Sequence, residues 1–182
     1  MSDSPKGLPE DFEVYPSSRD AAAEFTAALS SLKQALKPAD ATTRARPGES
    51  YDDFIIRLAI NATKNNAVLY RKNDSAEEAK IQAWLSLVGE KSKFAVLSQA
   101  IPAFQGLSFE QLREIALLSL EPIRINNVAQ VLAEVYGVLL VVEPGFKAMK
   151  MDGCTFKLAQ GTPVVGVALR YNRYDNFWFT LM

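Results

Sequence analysis

Few side chains in this 182-residue chain combine the type and the spacing needed for chemistry. There is no histidine, so the commonest general base and the commonest zinc ligand are both missing. The single cysteine, Cys154, has no histidine to activate it and falls in an expected strand, which reads as a packed core thiol rather than a nucleophile. Toward the C-terminus Arg170 and Arg173 stand among Tyr171 and Tyr174 just ahead of Asp175. Such a group could contact a phosphate or a peptide carboxylate; a structural pair with Asp175, or plain exposure, explains it equally well. Trp84 and Trp178 could be binding platforms, but both fall at helical spacing and are expected in the core. Gly145, Gly161 and Gly166 make no phosphate loop, because no Gly-rich run with Lys-Ser or Lys-Thr follows a strand.

Bulk composition narrows the classes further. With 48 % hydrophobic residues the chain can bury a real core as one domain, or as one domain with a helical extension. Twenty Lys and Arg against twenty-one Asp and Glu give a net charge of −1, so nothing global favours nucleic acid or an anionic membrane as the main partner. One cysteine excludes an internal disulfide and fits a reducing compartment. No apolar run reaches the roughly 20 residues that span a bilayer, and the N-terminus lacks a signal-peptide pattern, so a cytoplasmic location is expected.

The elements that must position these residues follow from periodicity. Residues 1–17, rich in Pro, Ser and acids, read as a flexible lead-in. Phe25, Leu29, Leu32 and Leu36 line one face of a helix that Pro38 ends, and "PADATTRARPGES" reads as a linker. A second helix is expected from Tyr51 to about Tyr70 through Ile55, Leu58, Ala62 and Leu69. A third opens at Asp74 or Ser75 and carries Ile81, Trp84, Leu85 and Val88, with Gly89 expected to bend or split it. Ser108 and Gln111 have capping-box spacing for a short helix bearing Phe109, Leu112, Ile115 and Ala116. Beyond Pro122, Ile125, Val128, Leu132 and Val135 share a face that Gly137 closes. The period then changes: "VLLVVEP" (138–144) reads as a buried strand, and segments near 154–159 and 163–169 as a hairpin turning at Gln160-Gly161. Asp175 stands where a helix cap belongs, with Phe177, Trp178 and Leu181 on one side of a final helix. The organisation expected is therefore α+β: a lead-in over 1–17, a helical region over 18–106, then over 107–182 a helix, a short sheet with a hairpin, and the opening turns of another helix.

The stretch "GTPVVGVALRYNRYDNFWFTLM" (161–182) resembles the segment that leads into the zinc site of ImmA/IrrE-type metallopeptidases, a family often fused to helix-turn-helix or antitoxin-like regulators. The matching residues are Arg170, Tyr171, Asp175, Phe177, Trp178 and Phe179. The resemblance covers about the last 45 residues and extends more loosely back to "YRKNDSAEEAKIQAWLSLVGE"; no helix-turn-helix reading emerges in residues 1–70. It implies that residues 107–182 form the N-terminal part of a zincin-like domain and that the final helix is the start of its active-site helix. In the family the next residues are H-E-x-x-H, whose two histidines project from one helical face to hold zinc while the glutamate activates its bound water. The chain is expected to stop short of that motif. It would then hold no catalytic or metal-binding residue of its own, need no cofactor, and be inactive, with zinc expected only in a longer parent that cleaves a regulatory protein. A non-enzymatic, antitoxin-like or phage-related module binding a protein or DNA partner is the alternative. Truncation also implies an exposed apolar C-terminal edge and hence self-association.

Overall fold

The computed structural model describes residues 18–64, 75–121, 125–169 and 173–182, and in them helices precede a small mixed sheet, an α+β arrangement. The helices are α1 (Ser18–Ala35), α2 (Pro38–Ala41), α3 (Tyr51–Lys64), α4 (Ser75–Ser98), α5 (Phe109–Leu117), α6 (Ile125–Tyr136) and α7 (Tyr174–Leu181), with a 3-10 turn at Leu118–Leu120. The strands are β1 (Leu139–Val142), β2 (Gly153–Lys157) and β3 (Pro163–Val167). Gly137 adopts φ 68° at the end of α6, and a Cβ there would lie 2.5 Å from the Pro102 carbonyl oxygen, so only glycine makes this helix-to-strand turn without strain. The expected hairpin forms: β2 and β3 pair antiparallel from Gly153 opposite Val167 to Lys157 opposite Pro163. Its turn is closed by Leu158 N–H to Thr162 O at 2.9 Å, with Gly161 at φ 89°. The pairing of β1 with β3 is parallel, giving the order β1-β3-β2.

Alternation along β3 sets up two cores. Val164 and Ala168 face a helical layer in which Leu32, Phe54, Leu58 and Trp84 are buried. Val167 faces the other way, onto Val128, Leu132, Phe177 and Trp178, with Val165 packed at their edge. The sheet is thus a middle layer, with α1, α3 and α4 on one face and α6 and α7 on the other. At the centre of the first layer runs α4, where every residue from Ala83 to Gly89 is buried. A helix buried on all sides cannot show a one-sided apolar stripe. It also explains why Gly89 does not split α4, which runs unbroken from Ser75 to Ser98: the roughly 1 kcal/mol that glycine costs a helix is small beside the burial around it. Among the described residues no helix is long and apolar enough to cross a membrane.

Three further expectations are corrected. The stretch 38–50 is not a slack linker: it forms α2 and an ordered strap, with Ala41 buried and Ala45 packed on the core. The expected apolar face of α5 is mostly outside, since Phe109 is 77 % exposed and Leu112 also open, leaving Ile115 as its buried anchor. On α6 Val128 and Leu132 are buried but Val135 faces solvent. The second helix is described only to Lys64; Leu69, Tyr70 and the Asp74 cap lie outside the described residues.

Candidate functional site

The residues singled out by the sequence converge on α7 and its seat. Phe177 and Trp178 are buried against Val167 of β3, ring to ring in an edge arrangement with centroids 5.3 Å apart, and Tyr174 meets Trp178 edge-on at 6.2 Å. Tyr174 also donates its hydroxyl to the Ser119 carbonyl at 2.7 Å, tying α7 to the 3-10 turn. On the strand side, a Cβ on Gly153 would come within 2.7 Å of both the Gly166 carbonyl oxygen and the Thr180 methyl, so α7 approaches β2 at a spot that only glycine leaves open. Phe179 points away and is 84 % exposed. Arg170 and Tyr171 lie outside the described residues.

Asp175 does not cap α7. The N-cap is Arg173, in extended conformation, and no side chain there accepts a cap hydrogen bond. Asp175 stands instead in the first turn, where a negative charge suits the helix dipole, and its carboxylate is held by both the Nε and the Nη2 of Arg173, the former at 3.0 Å. That hydrogen bond holds the Asp175 carboxyl below its usual range, and Asp175 in turn raises Arg173. Of the readings open for the basic-aromatic group, the structural pair with Asp175 is the one formed at Arg173.

Beside this helix lies an open depression of about 370 Å³ lined by Ser119, Tyr174, Asp175, Trp178, Phe179 and Met182. Three of these six lining residues are aromatic. The indole N–H of buried Trp178 has no acceptor among the described residues. The chain has no histidine, and among the described residues no three His, Cys, Asp or Glu side chains come together. Cys154 is half-buried on β2 facing α4, and burial pushes its thiol up to about 11, which suppresses the thiolate at neutral pH.

A second cluster escaped the sequence reading. Glu143, 3 % exposed at the end of β1, accepts from Arg44 Nε at 3.2 Å and pairs with Lys91 Nζ at 2.6 Å, while its carbonyl accepts the Trp84 indole N–H at 2.8 Å. Arg44 also donates to the carbonyls of Asp40, Pro144 and Gly145, and its guanidinium lies 4.4 Å from the Phe146 ring centroid. The signal for this cluster was the acid itself: a carboxylate directly after a buried apolar strand must find cations, although sequence spacing does not say which. A related knot joins Arg57 to Glu49 at 2.6 Å and to Glu90, which also accepts from Asn61.

No family model, curated protein or solved structure matches this chain.

Proposed function

We propose that the chain is a framework whose sheet and two cores hold one helix, α7, as the mount of a functional site rather than as the site itself. More particularly, we propose a zincin-like framework of the ImmA/IrrE type, from a parent zinc metallo-endopeptidase that cleaves a regulatory protein. The observation that carries this reading is the seating of α7: directly after β3, Phe177 and Trp178 are locked into the sheet's far face, so a continuation of the same helix would be held rigidly over it. In the family that continuation bears H-E-x-x-H, and a bound zinc would supply an activated water there. The 182 residues contribute the fixing of the helix by Phe177, Trp178 and Tyr174, and no hydrolysis. A cytoplasmic location accompanies this reading, because the one cysteine is a packed thiol with no disulfide to need an oxidising compartment.

Reading the coding sequence beyond codon 182 tests the proposal. A His-Glu-x-x-His helix in frame, with zinc bound by the extended protein at one equivalent and lost on mutating either histidine, is the expected result. A stop codon followed by no such motif overturns it.

One observation favours a second reading, that of a non-enzymatic interaction module. Phe179 and Met182 are open to solvent at the depression beside α7, and Leu120, Phe94, Leu97 and Phe109 are also exposed. Exposed apolar side chains in such number suit a protein partner or a second copy better than DNA. In this reading Phe179→Asp abolishes concentration-dependent association seen by sedimentation; association that persists unchanged in the variant counts against it.

A further inference from the structure

The backbone and side chain of Glu143 are held by four contacts from three elements. Arg44 comes from the strap before α3, and Lys91 and Trp84 both come from α4. The fourth contact is on the sheet: the Glu143 N–H donates to the Val167 carbonyl, at the end of β3, at 3.1 Å. The ring edge of Trp84 meanwhile abuts Gly166, where an added Cβ would come within 3.1 Å of it. On the opposite face of the sheet, Val167 is the fully buried residue against which Phe177 and Trp178 of α7 pack. One residue therefore joins the helical layer to the strand end that carries α7.

We propose that Glu143 is a positioning residue through which the helical layer sets the placement of α7. Its buried carboxylate cannot be left without its cations, so any rearrangement of the strap or of α4 that withdraws Arg44 or Lys91 forces Glu143 to move. Moving Glu143 breaks its bond to Val167 and shifts the strand end. Packed interiors respond to such a shift by switching arrangement rather than by bending smoothly, so the change is passed to Phe177 and Trp178. A partner that engages the strap would be felt across the sheet. This coupling is a property of the described residues and stands whether or not α7 mounts a zinc helix.

The test uses the 182-residue chain labelled with 5-fluorotryptophan, in which Trp84 and Trp178 give separate fluorine resonances, together with amide hydrogen exchange. Two variants are compared with wild type: Glu143→Gln, which keeps the shape and removes the charge, and Lys91→Ala, which removes only the half-exposed cation and should fold in any case. Gly153→Ala, which crowds both Thr180 and the Gly166 carbonyl, serves as a positive control that a displaced α7 is seen by the Trp178 resonance. In Lys91→Ala and in Glu143→Gln the Trp178 resonance is expected to shift, and α7 amides to exchange about fivefold faster or more, the lower end of ordinary coupling between sites. Protection in α1 and α3 is expected to stay as in wild type. An unmoved Trp178 resonance with changes confined to 38–50 and 143–146 overturns the proposal, since the cluster is then a local clasp. Uniform acceleration in all helices overturns it too, because that reports global destabilisation instead of coupling.

Discussion

Gly166 shows how much one absent methyl group can decide. A Cβ at this position would lie 2.8 Å from the half-buried Cys154 Sγ and 2.9 Å from Cγ1 of the fully buried Val88. Gly166→Ala is therefore expected to lower the urea midpoint with an unchanged slope, by the roughly 1–3 kcal/mol that overpacking costs. Charged residues add a pH signature. The hydrogen bond from Arg57 holds the Glu49 carboxyl below its usual value of 4.5, so the folded state binds this proton less readily than the unfolded chain does. Its stabilisation is accordingly complete above the unfolded value and is lost as pH falls through the folded one. Urea midpoints measured from about pH 6 down to about pH 3 are expected to decline less steeply in Glu49→Gln than in wild type. At this scale the sequence was a fair guide to apolar residues, placing Trp84 and Trp178 in the core, and a poor guide to ion pairs. Arg44 and Glu143 are 99 residues apart, and nothing local links them.

Elements whose signals are local were the legible ones. The capping box at Ser108 forms in both directions, with Gln111 N–H to Ser108 Oγ at 3.2 Å and Ser108 N–H to Gln111 Oε1 at 2.7 Å. Because α5 buries little beyond Ile115, it depends on that cap more than a core helix would. Ser108→Ala is expected to cost about 0.5–2 kcal/mol and to raise amide exchange first in Phe109–Leu117. The hairpin and the αL glycine after α6 were legible for the same reason, since turn chemistry is written in adjacent residues. What the sequence hid was set by distant contacts. The strap over 38–50 has linker composition, yet Arg44 and buried Ala41 fix it to the rest. The parallel match of β1 to β3 depends on a partner 25 residues away. Helix α7 starts at Tyr174 with Arg173 as its N-cap, so Asp175 falls inside the first turn, a shift of two residues that sequence alone does not resolve.

For the molecule as a whole, the first core takes Leu32, Phe54 and Trp84 from before residue 107 and Leu139 and Val164 from after it. Neither side can bury those residues alone, so unfolding is expected to be one cooperative transition. A fragment of residues 107–182 is expected to show no sigmoidal melt by circular dichroism, whereas 18–182 melts in a single step. Independent folding of the shorter piece would show that the sheet needs no helical layer. The burial of α4 along its middle carries one more consequence. An ordinary surface helix, scanned with every substitution and scored for survival of the fold, leaves a comb, its sensitive teeth three or four positions apart. Ala83–Val88 should leave a solid bar instead, intolerant at six successive codons, with Ser86 no exception because its hydroxyl is already committed to the Gln82 carbonyl.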